Sequence, residues 1–217
     1  MPTLVRAYGG GIFPWFSEGQ PILWWSTDPR MTLDVTRFKL RRSLKQALLR
    51  FTRDAGCEIR IDTAFAQVIN ACAQADRNGT AGKPPGTWIV SDMIDAYCAL
   101  HRAGYAHSVE TWVNGELVGG LYCVALGKAV FGESMFSWQT DASKIALAAL
   151  VSFCRFHHVR MIDCQQNTPH LASLGASEMS RSAFVSHVAA SASQESPVWR
   201  FLPLYWAEIL HPPTSGS

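Results

Sequence analysis

The spacing of apolar residues predicts alternating helices and strands along the chain. Between residues 37 and 53 the apolar side chains recur every three or four positions, which is typical of an amphipathic helix. They are Leu40, Leu44, Ala47, Leu48 and Phe51. Residues 57–61 (CEIRI) alternate between apolar and polar side chains, and this pattern predicts a short strand.

Capping residues and turn residues define the next two helices. Thr63 is expected to cap a helix that runs to about Gln74, and Ser91 to cap a second helix that Gly104 ends. Residues 76–87 between them are rich in glycine, proline and polar side chains, and they predict a loop.

The centre of the chain is rich in strand signals. Asn114 and Gly115 separate two apolar runs at 107–113 and 116–126, which is a strong hairpin signal. Residues 128–136 predict a third strand. Asp141 then begins a long apolar helix, and residues 159–165 predict a buried strand. A helical turn, a helix and a last strand are expected at 170–176, 180–192 and 198–206.

This order of elements favours an α/β (α+β) fold. An antiparallel meander followed by a helix and a return strand is the layout of an acyltransferase-like domain. The first 35 residues carry aromatics, glycines and prolines with little periodicity. They predict a loop-rich segment that either packs on the main domain or exposes its rings as a stacking platform.

Composition limits the possible functions. The chain has 217 residues, 48% of them hydrophobic, which suffices for one main domain with a small appendage. A formal net charge of +2 argues against a general nucleic-acid coat protein, so any RNA contact should be local. No signal peptide or membrane-length apolar run is visible, and the six cysteines contain no CxxC pair. We therefore expect buried free thiols, no membrane contact and a cytoplasmic location.

Five segments, in chain order, resemble the leucyl/phenylalanyl-tRNA–protein transferase family. Their register along nearly the whole chain is more specific than any single motif. The segments are GIFPWF (11–16), PILWWSTDPR (21–30), GTWI (86–89), AHSVETW to FGESMFS (106–137) and IDCQ to HLASLGA (162–176).

The resemblance implies two domains. A small N-terminal domain is expected at residues 1–37, and an acyltransferase-like catalytic domain at 38–217. The larger domain should have the N-acetyltransferase-like fold, with a mixed, mainly antiparallel sheet. The family has a few dozen residues before the segment that matches LVRAYGGGIFPWF, so the N-terminal domain is expected to be truncated. The 76–87 loop is longer than is usual in the family.

The resemblance also implies the reaction. Leucine or phenylalanine, and less well methionine, moves from tRNA to an acceptor protein that begins with Arg or Lys, which marks that protein for degradation. The attack of an amine on an activated ester needs neither ATP nor metal, so no cofactor is expected. The enzyme is expected to act as a monomer.

Three polar residues in apolar strands are the candidate catalytic residues. Asp163 and Gln165 share one face of a strand by alternation, and both match the family's proposed catalytic pair. They can orient an amine and relay its proton, or they can form an ordinary cap or core hydrogen bond. Glu133 lies in FGES and needs a partner. That partner is either the ammonium group of the donor amino acid or a buried cation such as Lys144.

Aromatic and apolar residues are the candidates for donor binding. Trp15 and Trp88 match family positions that hold the terminal adenosine, and Tyr8 and Tyr97 are weaker candidates. Without the family, ordinary packing explains all four. Four apolar residues match the amino-acid pocket of the family, although core packing explains them equally well. They are Leu121, Val130, Leu150 and Ile162.

The basic segment is the candidate site for tRNA phosphates. It holds seven cations without one acid, whereas a solvated face usually mixes both signs. The cations are Arg37, Lys39, Arg41, Arg42, Lys45, Arg50 and Arg53. No carboxylate completes the possible metal ligands Cys154, His157 and His158, so no metal is expected.

Two other functions compete with the transferase. An acyl-CoA-dependent N-acyltransferase needs a pyrophosphate loop, and residues 6–11 (RAYGGG) match its letters. They lie far from the expected place between a central strand and its helix. A non-enzymatic RNA-binding module would use the tryptophans and the basic segment equally well, but it would leave Asp163, Gln165 and Glu133 without a role.

Overall fold

A computed structural model describes residues 2–16, 19–75 and 89–211 of the chain. The helices are α1 (Pro2–Gly9), α2 (Arg42–Phe51), α3 (Phe65–Gln74), α4 (Ser91–Arg102), α5 (Ala142–Phe156), α6 (Pro169–Ser173), α7 (Arg181–Ala192) and α8 (Ala207–Leu210). The strands are β1 (Phe13–Pro14), β2 (Trp24–Trp25), β3 (Arg30–Asp34), β4 (Cys57–Ile61), β5 (Ala106–Val113), β6 (Glu116–Leu126), β7 (Ala129–Ser137), β8 (Met161–Gln165) and β9 (Ser177–Met179). The loop predicted at 76–87 lies outside these ranges.

A seven-stranded sheet organises this part of the chain. Its strand order is β4-β5-β6-β7-β8-β3-β9, and β1 pairs separately with β2. Adjacent strands are antiparallel except β7 and β8, which are parallel. The predicted α+β fold with a mixed, mainly antiparallel sheet is therefore confirmed.

Helices cover both faces of the large sheet, as the apolar side chains on its two faces require. On one face Leu121 and Ile162 belong to a core that includes residues of α2, α5 and α8. On the other face Tyr122 and Phe131 belong to a core that includes residues of α1, α3, α4 and α7. Among the described helices, none is long and apolar enough to cross a membrane.

The central hairpin has the predicted turn. Val113 pairs with Glu116 across a two-residue loop. Asn114 and Gly115 have φ angles of 52° and 80°, the left-handed values that a type I′ turn requires. The helix after Asp141 and the strand that ends at Gln165 are also confirmed.

Two helix starts differ from prediction. Helix α2 begins at Arg42 rather than Arg37, because residues Val35–Arg37 form a separate 3-10 turn. Thr63 does not cap α3. Its hydroxyl donates to the Glu110 carboxylate, which also accepts a hydrogen bond from the Ala64 backbone N–H.

The two ends of the chain contain further differences. The first 35 residues include α1 and β3, and β3 lies between β8 and β9 in the large sheet. The predicted division at residue 37 stays a prediction, although the pairing of β3 favours an earlier boundary. The strand predicted at 198–206 is wrong: Pro203–Trp206 form a 3-10 turn that continues into α8. None of the six cysteines, all of which lie in the described ranges, forms a disulfide, but Cys57, Cys98 and Cys164 are only partly buried.

Candidate active site

The two parallel strands separate next to the predicted catalytic residues. Strands β7 and β8 pair only at Val130 with Ile162 and at Phe131 with Asp163. Beyond these pairs the Gln165 side chain lies between the strands, and its Nε2 donates to the Gly132 carbonyl at 2.7 Å. We call this place, where the ladder ends and polar side chains meet, the cleft.

A β-bulge places Glu133 at this cleft. Tyr122 on β6 faces Ser134, but the next residue, Cys123, faces Gly132, so Glu133 is the extra residue on β7. A bulge redirects a side chain relative to simple alternation, and bulges are common beside active sites.

A second irregularity shapes the end of β8. Thr32 on β3 faces Asp163, whereas Met31 faces Gln165, so Cys164 is the extra residue. Gln165 itself has a φ of 55°, in the left-handed region. The alternation argument that assigned Asp163 and Gln165 to one face therefore does not hold at this strand end.

Two tyrosines hold the Glu133 carboxylate. The Tyr8 hydroxyl donates to Oε1 at 2.7 Å, and the Tyr97 hydroxyl donates to Oε2 at 3.1 Å. The Gln165 Nε2 lies 3.5 Å from Oε1. Lys144, the cation named as an alternative partner for Glu133, forms an ion pair with Asp141 instead.

The same contacts place the hydroxyls of both tyrosines inside the protein, at Glu133. Tyr8 and Tyr97 are fully buried, and their hydroxyl oxygens lie 2.5 Å apart. Neither ring is open to stack on an adenine in this structure. Their predicted place at the adenosine stays a prediction.

The environment of Glu133 brings its titration close to neutral pH. The residue as a whole is half-buried. Protein atoms surround its carboxylate, and this burial raises the pKa of Glu133 to about 7. The hydrogen bond from Tyr8 opposes this shift, and the negative charge of Asp163 adds to it. Glu133 can therefore change its charge within the physiological range.

Asp163 forms a buried ion pair with Arg30. The Arg30 Nε donates to Oδ1 at 2.8 Å and Nη2 donates to Oδ2 at 2.7 Å, with both side chains 1% exposed. Oδ1 also accepts the Gln165 backbone N–H at 3.0 Å. Burial raises the pKa of Asp163, and Arg30 acts in the opposite direction. Because both oxygens are bonded and buried, Asp163 is not exposed to a substrate amine in this structure.

Sequence reasoning missed Arg30. Its guanidinium lies between the rings of Phe13 and Phe184, at 4.6 and 4.5 Å from their centroids, and donates to the Gly11 carbonyl at 3.2 Å. The available signal was a lone cation at the start of the short apolar run RMTL, which required a buried anion as partner.

Family models match almost all of the chain. The model described as leucyl/phenylalanyl-tRNA protein transferase matches residues 32–189, and the model of its N-terminal domain matches residues 1–28. The chain belongs to the leucyl/phenylalanyl-tRNA protein transferase family.

Individual relatives in this family are close. A leucyl/phenylalanyl-tRNA–protein transferase from a Polaromonas species is 64% identical over 97% of this chain and 81% of its own length. The transferase of the same name from Albidiferax ferrireducens is 63% identical over 99% of this chain and 83% of its own. That from Paraburkholderia phytofirmans is 54% identical, with coverages of 96% and 84%.

Solved structures are only distantly similar. The structure of L-PGS from Bacillus licheniformis covers 96% of this chain and 69% of its own, with 13% identity and a TM-score of 0.41. A similarity this weak adds nothing to the fold described above.

Trp15 belongs to the exposed aromatic hairpin of β1 and β2. Its side chain is 38% exposed, and the Trp25 indole N–H donates to its backbone carbonyl at 2.8 Å. The hairpin leads to Thr27, whose hydroxyl donates to the Gln165 carbonyl at 3.1 Å. Trp88, the second residue predicted to hold the adenosine, lies outside the described residues. The role of Trp15 stays a prediction.

The four residues predicted to form the amino-acid pocket lie in one core cluster between the sheet and α5. Each is at most 3% exposed. They are Leu121, Val130, Leu150 and Ile162. Because they pack closely, a donor side chain would have to displace them to enter here. Their assignment to a pocket stays a prediction.

The seven cations of the basic segment, residues 37–53, are all exposed. Its seven cations form no ion pair with the acids of the described ranges. The Lys39 backbone N–H donates to the Leu174 carbonyl at 2.8 Å, and the Arg41 Nε donates to the Ser173 carbonyl at 3.3 Å. The segment is thereby held against the C-terminal end of α6. Its binding of tRNA stays a prediction.

Proposed function

We propose that this chain transfers leucine or phenylalanine, and less well methionine, from aminoacyl-tRNA to the N-terminus of proteins that begin with Arg or Lys. The new N-terminus marks the acceptor for degradation. Membership of the family carries this proposal, since relatives of that name are up to 64% identical over most of the chain. The polar cleft at the separated ends of β7 and β8 supports it.

The proposed reaction needs positioning more than activation. The acceptor α-amine attacks the ester carbonyl, a C–N bond forms, and the C–O bond to the tRNA ribose breaks. The amine loses a proton and the departing 3′-oxygen gains one. The ester supplies the driving force, so the protein has to align two substrates and stabilise the developing charge.

The residues of the cleft divide these tasks in our proposal. The Glu133 carboxylate holds the ammonium group of the donor amino acid. The side-chain Nε2 of Gln165 donates to the Gly132 carbonyl. The side-chain carbonyl oxygen of Gln165 orients the acceptor amine. Asp163 positions Gln165 through its backbone N–H and does not take the proton.

Donor binding extends from this cleft in two directions. We propose that Trp15 and Trp88 stack on the terminal adenosine, since base–aromatic stacking contributes about 1–3 kcal/mol per base. The core around Leu121 and Leu150 opens to accept the donor side chain. The fold is proposed to be N-acetyltransferase-like, which the divergence of β7 from β8 supports. Because the cleft described here is built from one chain and charged tRNA is cytosolic, we propose a cytoplasmic monomer.

The acyl-CoA alternative has little support. The letters that resemble a pyrophosphate loop, residues 6–11, include the last turn of α1. They do not lie between β7 and α5, where such a loop would precede the helix N-terminus.

Transfer of labelled phenylalanine from tRNA to a peptide with N-terminal Arg tests the proposal. We expect transfer to this peptide and none to the same peptide with an acetylated N-terminus. Acetyl-CoA should neither replace the donor nor raise the melting temperature. Tight binding of the charged tRNA without transfer would instead identify a binding module.

The basic segment makes a separate, smaller prediction. In the double variant Arg41→Glu/Lys45→Glu, tRNA binding should depend less on salt. The slope of log K against log salt concentration should become shallower by about 1 to 2, because each lost phosphate contact reduces it by about 0.9. The control is Arg102→Glu, an exposed charge at the end of α4 on the other face of the sheet. Equal slopes for all three proteins would show that the segment only faces solvent.

A further inference from the structure

The polar residues of the cleft form a closed circuit with the N-terminal helix. Arg30 contacts Asp163, whose Oδ1 accepts the Gln165 N–H. The Gln165 side chain then reaches Gly132 and Glu133. The circuit closes through α1 and the turn after it. Tyr8 on α1 donates a hydrogen bond to Glu133. The carbonyl of Gly11, three residues after Tyr8, accepts a hydrogen bond from Arg30.

Arg30 contacts four segments that are separate along the sequence. It touches the turn after α1 through Gly11, strand β1 through Phe13, α7 through Phe184 and strand β8 through Asp163. Its guanidinium forms a bidentate pair, which fixes the carboxylate in orientation as well as in distance. At 1% exposure it cannot touch a substrate itself.

The conformation of Gln165 depends on this anchor. Its φ of 55° is one that non-glycine residues rarely adopt, and such a conformation persists only where its surroundings fix it. Two contacts fix it here: the Asp163 Oδ1 accepts the Gln165 N–H, and the Thr27 hydroxyl donates to the Gln165 carbonyl. Loss of the Arg30 fork would free Asp163 to rotate and would remove the first contact.

We propose that Arg30 is a positioning residue for the transfer reaction: it locks Asp163 and thereby holds Gln165 in place against Glu133. This inference rests on the proposed function. It assigns Asp163 an anchoring role and leaves Glu133 and Gln165 as the groups that meet the substrates. Through the same contacts Arg30 connects Gly11 and Phe13, near the start of the chain, to Asp163 on β8.

The test uses Arg30→Lys, which keeps the charge but loses the planar fork that matches the carboxylate. We expect kcat to fall about 100-fold, the loss typical of a 1 Å misplacement, while KM for the charged tRNA stays near the wild-type value. The matched control is Arg60→Lys. Arg60 also forms an ion pair with a carboxylate (Glu58) and lies over an aromatic ring (Trp112). It lies on β4, far from the cleft in the sheet. Its replacement should leave kcat unchanged.

A second variant separates positioning from folding. Arg30→Met/Asp163→Leu replaces the buried pair by apolar side chains, a change that buried ion pairs often tolerate. We expect it to fold and to remain as slow as Arg30→Lys. Wild-type kcat in either variant would overturn the inference, as would a loss of activity that only follows the unfolded fraction.

Hydrogen exchange distinguishes this inference from the proposed function. The Gln165 amide proton should exchange faster in Arg30→Lys than in the wild type or in Arg60→Lys, whether or not the protein transfers an amino acid. Wild-type protein without transfer would refute the proposed function, while unchanged exchange at Gln165 would refute the coupling from Arg30.

Discussion

The Glu133→Gln variant is expected to lower kcat/KM for charged tRNA about 100-fold above pH 7 and to change its pH profile. Loss of one partner from a desolvated charge pair costs about 2–5 kcal/mol, and each 1.4 kcal/mol is tenfold in rate. Glutamine keeps the shape of the side chain and can still accept from Tyr8. The loss would therefore report the charge of Glu133 and not its packing.

The sign of the pH effect follows from the raised pKa. Glu133 is protonated below about 7 and ionised above it. If the ionised form binds the donor ammonium, wild-type kcat/KM rises as the pH increases through about 7. The acceptor amine, with an ordinary pKa of about 7.7–8.0, gives a second rise that both proteins share. The donor ammonium group has the same ordinary pKa and loses its charge above about 8, so its contact with Glu133 is then lost. The wild type should therefore differ from Glu133→Gln by a rise near pH 7 followed by a fall near pH 8.

A donor without the α-amino group provides the control. Phenyllactyl-tRNA carries a hydroxyl in place of the ammonium group, so the contact proposed for Glu133 is absent. We expect Glu133→Gln to use this donor about as well as the wild type does. A 100-fold loss with both donors would mean that Glu133 acts on the acceptor or on the structure of the cleft.

Much of the fold can be predicted from the sequence because its signals are local. The hairpin at Asn114–Gly115 depends on two residues that tolerate positive φ, and both adopt it. The helix after Asp141 follows from a long apolar run. By contrast, β3 is five residues long and takes its place in the sheet from partners more than a hundred positions away, at β8 and β9. No local pattern encodes that pairing.

The candidate site shows the same division. Glu133 and Gln165 were accessible from the sequence as polar residues in apolar strands. Their orientation was not, because bulges on β7 and β8 change which way each side chain points. Arg30 was missed, and the contact of Tyr8 with Glu133 was not foreseen, for a related reason. Each residue has its partner across the fold: Asp163 for Arg30 and Glu133 for Tyr8.

Gly175→Ala is expected to destabilise the protein by about 2–5 kcal/mol and to disturb the basic segment. Gly175 has a φ of 103°, and a Cβ added there would lie 2.2 Å from the Arg37 carbonyl oxygen. The neighbour is backbone, so it cannot rotate away. Left-handed backbone costs an alanine about 1–2 kcal/mol, and the clash adds about 1–3 kcal/mol. Chemical denaturation measures the change in free energy of unfolding.

Gly104→Ala is the matched control, because it isolates backbone strain from the clash. Gly104 has a φ of 77°, but a Cβ there meets no atom within 4 Å. Its replacement should cost only about 1–2 kcal/mol and leave tRNA binding unchanged. Gly175→Ala should also weaken tRNA binding, because relief of the clash moves the Arg37–Lys39 backbone away from α6. Equal losses of stability in the two variants would mean that the contact with Arg37 is looser than described. If Gly175→Ala is destabilised but binds tRNA with wild-type affinity, residues 37–39 do not belong to the phosphate site.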